Sequence, residues 1–243
     1  MPTALFLGAS SDMAVATARL MATKGYNIQL AARNSQRLQA LQSDIQVRSQ
    51  VACTVHEFDA AKLDSHNDFW NSLPEKPTVV ICVFGYMSDN EQARVNWAES
   101  EKMITSNFTG AVSILNIVSK YYEEKKSGTI IGISSVAGER GRQSNYIYGS
   151  AKAGFTAYLS GLRNRMFPAG VHVGTILPGF VYTRMTESLK LPAVLTAQPE
   201  DVAKVIIRSI EKKKNVVYVK WFWRWIMLII KLIPEFMFKK LKL

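Results

Sequence analysis

Short runs of β-branched and other apolar residues alternate along most of the chain with longer segments whose apolar residues recur at helical spacing. This alternation predicts an α/β fold, a three-layer, doubly wound parallel sheet with helices on both faces. Ligands of such sheets bind at the carboxyl ends of the strands. The predicted strands lie near Ala4–Gly8, Asn27–Ala31, Val51–Phe58, Thr78–Val83, Thr129–Ile133, Val171–Leu177 and Val216–Val219. The predicted helices lie near Met13–Lys24, Ser35–Val47, Asn67–Leu73, Glu91–Ser106, Val112–Lys125, Ile147–Phe167 and Pro199–Lys212.

Charge is distributed unevenly over the 243 residues, whose formal net charge is +11. The segment from Lys212 to Leu243 holds nine basic residues and the single acid Glu235. We therefore divide the chain into a domain, residues 1–211, and a basic amphipathic tail, residues 212–243, which includes the strand near 216–219. The length suits one α/β domain. Because no recognised nucleic-acid-binding module accompanies the basic residues, we expect no nucleic-acid partner.

The two cysteines and the first residues of the sequence indicate the cellular compartment in which we expect the protein. Cys53 and Cys82 each lie in an apolar β-like run, where a buried thiol is ordinary. The first motif is reached at Gly8, so we expect no signal sequence. Both observations favour a reducing, cytoplasmic environment.

A candidate phosphate-binding turn joins the first strand to the first helix. Gly8 permits a tight turn, and backbone N–H groups at a helix N-terminus bind phosphate. Asp12 and Ala14 stand where further glycines are expected, so an ordinary turn with Asp12 as the N-cap is the alternative. The candidate contacts are Gly8, Ser10, Ser11, Asp12 and Met13.

The second and third strands end in residues that suit the adenosine end of a dinucleotide. Arg33 offers a charged fork for a 2′-phosphate, and Ala32 adds no repulsion, which favours NADP(H) over NAD(H). A solvated arginine is the alternative. Asp59, followed by Ala60, is placed to accept from the adenine amino group, or else to cap its own turn.

Tyr148 and Lys152 lie four residues apart on a predicted helix and so share one face. A phenol exchanges protons near neutral pH only if a nearby cation stabilises the phenolate, and Lys152 is expected to do so. Ser135, at the exit of the strand that ends at Ile133, is placed to donate to the same carbonyl oxygen. The same spacing occurs at Tyr121/Lys125 and Tyr122/Lys126 in a charged helix end, where we expect exposed side chains.

In combination these motifs resemble the short-chain dehydrogenase/reductase family over about Met1–Glu211. The resemblance implies a Rossmann-type domain that moves a hydride to or from a carbonyl carbon, with Asn107 supporting a water-mediated proton relay to Lys152. It also implies cofactor contacts from Phe84, Gly85, Tyr148, Lys152, Pro178, Gly179, Val181 and Thr183. The sequence departs from the family at Asp12 and Ala14, and at Cys82-Val83-Phe84-Gly85, where Asn-Asn-Ala-Gly is usual.

The tail predicts a helix on a membrane surface over residues 220–243. Its uncharged run between Arg224 and Lys231 is far shorter than the roughly 20 residues that span hydrocarbon. On a helix, Lys220, Arg224 and Lys231 form a stripe beside a wide apolar face, and Pro234 ends the helix. The alternative is packing on the chain's own core or on a partner subunit. Lys239, Lys240 and Lys242 form a basic end.

Four segments resemble, in particular, the family branch that reduces a decaprenylphosphoryl keto sugar during epimerisation of decaprenylphosphoryl ribose. They are Phe84-Gly85, Ser135–Arg140, Thr183–Met185 and Tyr218–Leu241. The resemblance implies a lipid-linked substrate, a position on the inner face of the cytoplasmic membrane, and Arg140, Arg142 or Arg184 as contacts of the lipid phosphate.

Two other functions stay open at this point. One is a reductase of a soluble carbonyl compound, whose tail packs in an oligomer. The other is a regulatory or scaffold protein that binds NADP without turnover. We expect a homodimer or homotetramer in the enzyme hypotheses, and no metal.

Overall fold

The computed structural model describes residues 1–187 and 191–241. Lys242, part of the predicted basic end, lies outside the described residues. The strands are β1 (Thr3–Leu7), β2 (Asn27–Ala32), β3 (Cys53–Glu57), β4 (Val79–Cys82), β5 (Thr129–Ile133), β6 (His172–Leu177), β7 (Phe180–Val181), β8 (Thr196–Ala197) and β9 (Val216–Tyr218). The helices are α1 (Asp12–Ala22), α2 (Gln39–Ser49), α3 (His66–Ser72), α4 (Asn90–Val95), α5 (Trp97–Ile104), α6 (Gly110–Lys125), α7 (Tyr146–Met166), α8 (Pro199–Glu211), α9 (Trp223–Leu232) and α10 (Glu235–Phe238).

Seven parallel strands form the main sheet in the order β3-β2-β1-β4-β5-β6-β9. The chain first builds outward from β1 to β3 and then resumes on the other side of β1 with β4. This reversal opens a crevice at the carboxyl ends of β1 and β4, the usual ligand position in such sheets. The predicted doubly wound α/β fold is confirmed.

Both faces of the sheet are buried, as the continuous apolar strands predict. In β1, Ala4 and Phe6 belong to one core cluster, whereas Leu5 and Leu7 belong to the other. The period-2 alternation of a strand thus supplies two helix layers at once. Cys53 and Cys82 are buried thiols, as expected.

The helix predicted over Glu91–Ser106 is interrupted. Asn96 ends α4 and starts α5, because its side-chain oxygen accepts from the Ala98 N–H at 3.1 Å. A π-helical turn, Thr105–Thr109, then joins α5 to α6, so the predicted gap before Val112 is absent. The π turn carries Asn107, and such turns are frequent at functional sites.

The tail begins inside the main sheet, because β9 pairs in parallel with β6. The following helix, α9, buries Trp223 and Met227 in a third apolar cluster with Val136 and Leu177. Lys220, predicted to share the helix's basic stripe, precedes α9 and has a φ of +59°, so that part of the prediction is wrong. No helix in the described ranges is long and apolar enough to cross a membrane.

Candidate active site

The turn after β1 depends on Gly8. Its φ is +92°, which L side chains rarely adopt, and a Cβ atom there would lie 2.5 Å from the Phe84 backbone nitrogen. The Gly8 N–H donates to Ala31 O at 2.8 Å, which ties the turn to β2. Position 8 therefore requires glycine for two reasons: the positive φ, and the lack of room for a side chain beside Phe84. Met13 is half-buried and packs against the core.

The start of α1 is held by an arginine from a distant loop. Ser11 is the N-cap and Asp12 the first helical residue, so the alternative of Asp12 as the N-cap is wrong. The Asp12 carboxylate accepts from the Arg184 backbone N–H at 2.9 Å and from Arg184 Nε at 3.2 Å. The Arg184 guanidinium also donates to the carbonyl of Ser10. Arg184 thus links the segment after β7 to the candidate phosphate turn.

Arg33 is exposed at the end of β2, where the sequence places it. The next turn is fixed by Glu57, whose carboxylate accepts from the Asn34 and Ser35 N–H groups at 2.9 and 2.8 Å. The bond from Ser35 is the main reason that the pKa of Glu57 lies below its usual range. Glu57 was not predicted from the sequence. The feature that could have indicated it is its place in β3, where it pairs with Ala32, the residue before Arg33.

The turn after β3 contains Asp59 and Ala60. Asp59 Oδ1 accepts from the Ala61 N–H at 3.0 Å, so one carboxylate oxygen caps its own turn. The Asp59 carbonyl contacts His66 Nε2 at 3.1 Å. A Cβ atom at Gly110 would clash with the Ala60 carbonyl, so α6 begins directly against this turn. The backbone here is rigidly placed at the edge of the crevice.

Asn107 is 1% exposed and faces Gly85. Its Nδ2 donates to Met103 O at 2.8 Å and to Tyr86 O at 2.5 Å, whereas its buried Oδ1 has no partner in the described structure. A Cβ atom at Gly85 would lie 2.6 Å from that oxygen and 3.5 Å from Lys152 Nζ. Asn107 Oδ1, which has no partner, and Lys152 Nζ therefore both lie near Gly85. This arrangement suits a water that bridges the two groups.

Tyr148 and Lys152 lie on α7, as predicted. Lys152 Nζ is 5.8 Å from the centre of the Tyr148 ring and donates to Ile133 O at 3.1 Å. Ser134 donates to the Lys152 carbonyl at 3.0 Å and so ties the exit of β5 to α7. This bond holds the strand exit, and with it Ser135, beside α7. The sequence singles out Ser134 with Ser135 at this exit but does not predict its bond to Lys152.

The surroundings of the pair shift both of its pKa values. Burial raises the pKa of Tyr148 to about 12, and a hydrogen bond with Ser135 opposes the shift. Burial lowers the pKa of Lys152 to about 8. Loss of hydration disfavours the charged phenolate. Tyr148 therefore keeps its proton at neutral pH, which suits a proton donor.

The two other Tyr/Lys pairs lie apart from this group. Tyr122 is 1% exposed and its hydroxyl donates to Pro77 O at 2.7 Å, so the expectation that it is solvated is wrong. Lys125 Nζ lies 5.8 Å from the Tyr121 ring centre at the end of α6. Tyr122 completes the core because its ring is apolar and its hydroxyl finds a backbone acceptor.

The segment after β6 lies beside Ser135. The Val136 N–H donates to Pro178 O at 3.0 Å. Val181 belongs to β7, and the Thr183 N–H donates to Thr186 Oγ1 at 3.1 Å in a compact turn. The residues that the resemblance assigns to the nicotinamide end are thus next to the candidate catalytic group.

Trp223 of α9 packs on this segment. A Cβ atom at Gly179 would clash with its indole ring, and the Phe180 and Trp223 rings meet edge to face at 5.5 Å. The indole Nε1 donates to Leu195 O at 3.2 Å. Sequence reasoning missed this contact, although the helical spacing of Trp223, Met227 and Ile230 carries the signal.

The three arginines considered for a lipid phosphate have different surroundings. Arg140 binds backbone carbonyls at the end of α9, and Arg184 binds Asp12. Arg142 Nε is buried and has no hydrogen-bond partner in the described structure. Arg140 and Arg184 therefore already serve the protein's own structure.

Comparison with known proteins places the chain in a family. It matches the family model described as short chain dehydrogenase over residues 2–192. It is 32% identical over 243 residues to an uncharacterised oxidoreductase of Mycobacterium tuberculosis, covering 99% of this chain and 96% of that protein. It is 30% identical over 214 residues to a 3-oxoacyl-[acyl-carrier-protein] reductase of Synechocystis, covering 84% of this chain and 86% of that protein. The chain belongs to the short-chain dehydrogenase/reductase family, as the sequence motifs predict.

Solved structures support the fold. A short-chain dehydrogenase from Sphingobium yanoikuyae in complex with NADPH has a TM-score of 0.82 at 23% identity, covering 94% of this chain and 92% of that one. The actinorhodin polyketide ketoreductase with NADPH has a TM-score of 0.81 at 18% identity, covering 91% and 97%. Both similar structures contain the cofactor form that the sequence predicts, NADP(H).

Proposed function

We propose that the protein is an NADP(H)-dependent reductase that converts a carbonyl group to a secondary alcohol. The observation that carries the proposal is the group formed by Ser135, Tyr148, Lys152 and Asn107 at the carboxyl edge of the sheet. Two features fit this chemistry. The Gly8 turn leads into the N-terminus of α1, whose free N–H groups suit a phosphate. Asn107 Oδ1 is a buried acceptor with no partner in the described structure, beside Gly85 and Lys152, which suits a water in the proton relay.

The cofactor would lie from Arg33, across the Gly8 turn, to Gly85 and Pro178. When bound, it supplies a hydride to the carbonyl carbon. Tyr148 donates its phenolic proton to the carbonyl oxygen, and the Ser135 hydroxyl donates a hydrogen bond to the same oxygen. Lys152, as an ammonium, stabilises the phenolate left on Tyr148.

Replacing the phenol tests the chemistry. In Tyr148→Phe, we expect kcat for NADPH oxidation with carbonyl substrates to fall by about 10²–10⁴, the usual contribution of a general acid. The dissociation constant for NADPH, measured by fluorescence, should change less than about twofold, since one hydroxyl is lost. Unchanged turnover would contradict the reductase proposal, and so would retention of full biological activity, which a non-catalytic scaffold predicts.

We further propose that an anionic lipid surface covers the outer face of the tail. Trp225, Leu228, Ile229 and Leu232 of α9 are exposed at helical spacing, opposite the buried Trp223. Arg224 and Lys231 follow one edge of this face, where Lys231 also pairs with Glu139. Phe236, Met237, Lys239 and Lys240 are exposed farther along the tail. A wide apolar face with a cationic edge is typical of helices in the headgroup region.

Variants of the outer face test the lipid proposal without removing the core contacts of α9. We expect the full chain to co-sediment with phosphatidylglycerol vesicles, and Trp225→Ser combined with Ile229→Ser to reduce binding by about tenfold. The matched control is Phe167→Ser, which removes an exposed aromatic ring elsewhere in the chain. Equal binding by all three proteins would remove the membrane role. Vesicle-independent self-association lost in the double variant would instead assign the face to an oligomer.

The substrate that suits this position is a keto sugar linked to a polyprenyl phosphate, as the resemblance implies. Docking at a lipid surface would bring the carbonyl to the site without extracting the lipid chain. A screen of lipid extracts and soluble keto sugars for NADPH oxidation tests this assignment. Turnover of soluble keto sugars alone would favour a soluble substrate.

A further inference from the structure

Arg140 joins the tail helix to the segment that carries Ser135. Its Nη1 lies within hydrogen-bond distance of the carbonyl oxygens of Ile230, Lys231 and Ile233, at 2.8, 3.0 and 2.7 Å. The last carbonyls of an α-helix lack partners within the helix, and here three carbonyls around the end of α9 share the two N–H groups of one guanidinium nitrogen. Arg140 Nη2 also donates to Glu235 Oε2 at 2.9 Å.

The guanidinium is enclosed by the tail. Its carbon lies 3.8 Å from the centre of the Phe238 ring, and the side chain is 15% exposed. A planar, delocalised cation suits this combination of carbonyl acceptors, a carboxylate and an aromatic face. Removing it would leave both the helix end and Glu235 without their partner.

A second pair of contacts runs beside the first. Glu139 Oε1 accepts from Lys231 Nζ and from the Tyr218 hydroxyl, each at 2.8 Å. The segment Ser135–Arg140 therefore meets both β9 and the end of α9. These bonds restrict the segment on its C-terminal side.

The same segment is fixed to the site on its N-terminal side. The Ala137 N–H donates to Ser135 Oγ at 3.1 Å, and the Val136 N–H donates to Pro178 O at 3.0 Å. The Val136 side chain packs in the third cluster with Trp223 and Met227. Only a short 3₁₀ turn, Val136–Gly138, separates Ser135 from the residues that hold the tail.

We propose that Arg140 is a positioning residue, which makes α9 a structural part of the active site by fixing the Ser135 segment to the helix end. The inference rests on the proposed reductase function for its catalytic consequence. Its structural consequence is independent of that function: loosening the end of α9 loosens Ser135 and Pro178 as well.

Amide hydrogen exchange tests the coupling in the full chain. In Arg140→Met, we expect exchange of residues 223–232 and of residues 135–138 to rise together by about tenfold, while β1 and β4 stay protected. The Val136 and Ala137 amides are the reporters, because their acceptors are Pro178 O and Ser135 Oγ. Arg165→Met is the matched control, since Arg165 pairs with Glu123 on an exposed surface. Faster exchange in α9 alone would overturn the proposal.

Kinetics supply the second measurement. With an aromatic diketone as the carbonyl probe, Arg140→Met should lower kcat by about tenfold and leave the NADPH dissociation constant within about twofold of the native value. Arg140→Lys keeps the charge but not the planar fork, so we expect a smaller loss, and it carries the test if Arg140→Met does not fold. Native kcat in a folded Arg140→Met would overturn the catalytic consequence. If the native protein turned over neither the diketone nor any keto sugar or lipid extract of the substrate screen, the proposed function would be rejected, and the exchange result would still decide the coupling.

Discussion

In the proposed reaction, the proton chemistry belongs to two ionisable side chains, half-buried Tyr148 and buried Lys152. The pKa of Tyr148 is raised to about 12 and that of Lys152 is lowered to about 8, both mainly by burial. Near neutral pH the phenol is protonated and the amine is charged. This combination favours reduction, in which Tyr148 gives a proton and Lys152 stabilises the phenolate that remains.

The pH dependence of reduction should therefore follow Lys152. Lys152 loses its charge as the pH rises through about 8, so kcat should be level below that pH and decline above it. Tyr148 loses its proton only near its pKa of about 12, so it does not set this decline. We expect Lys152→Arg to move the decline to higher pH, because a guanidinium stays charged. A native rate that stays level to about pH 10 would show that Lys152 is not the titrating group.

Arg33 is the residue that should distinguish the two nicotinamide cofactors. Loss of a hydrogen-bonded charge costs about 1.5–3 kcal/mol, so Arg33→Ala should weaken NADPH binding by roughly 10- to 100-fold and NADH binding by less than about twofold. Titration of both cofactors by fluorescence measures the difference. Arg48→Ala is the control, since Arg48 pairs with Asp44 on α2. Equal losses for the two cofactors would contradict the assignment to the 2′-phosphate.

At the scale of elements, the candidate phosphate turn at the start of α1 departs from the family pattern. Asp12 puts a negative charge at a helix N-terminus that is expected to receive pyrophosphate, and Arg184 lies against it. The helix end itself favours Asp12, but a bound phosphate would be repelled by it. Arg184 supplies the compensating charge from the segment after β7.

A double-mutant cycle tests this compensation. Arg184→Met should weaken NADPH binding by about tenfold, and Asp12→Asn added to it should restore part of the affinity, because the uncompensated charge is removed. Asp12→Asn alone should have a smaller effect than Arg184→Met. Additive effects of the two substitutions on the NADPH dissociation constant would show that the pair does not act as a unit.

The sequence predicted the strands of the main sheet and its doubly wound class well, because continuous apolar runs in a parallel sheet are a strong local signal. It did not predict the break at Asn96 or the π turn around Asn107. Both depend on side-chain hydrogen bonds to the backbone that periodicity does not contain. Tyr148 and Lys152 were predicted from their spacing, Ser135 from its place at a strand exit, and Asn107 from the family resemblance. Glu57 and Trp223 instead make contacts between segments far apart in the chain, which spacing does not contain.

At the scale of the whole molecule, the tail has two faces with different roles. Its inner face completes a third apolar cluster over Val136 and Leu177, next to the candidate active site. Its outer face leaves large apolar side chains exposed beside basic residues. Removing all residues after Lys212 would delete β9 from the sheet and uncover this cluster. An experiment with such a truncation therefore could not distinguish loss of lipid binding from loss of folding.

Single substitutions two positions apart on α9 separate these roles. Met227 is fully buried, so Met227→Ala should lower the free energy of unfolding by about 2–5 kcal/mol, the usual cost of such a cavity. Ile229 is 65% exposed, so Ile229→Ala should change it by less than about 0.5 kcal/mol, because no buried contact is lost. Urea denaturation measures both. If Ile229→Ala destabilised the protein as much as Met227→Ala, the outer face would be part of a packed interface, and the vesicle experiment would have to be interpreted through folding instead of docking.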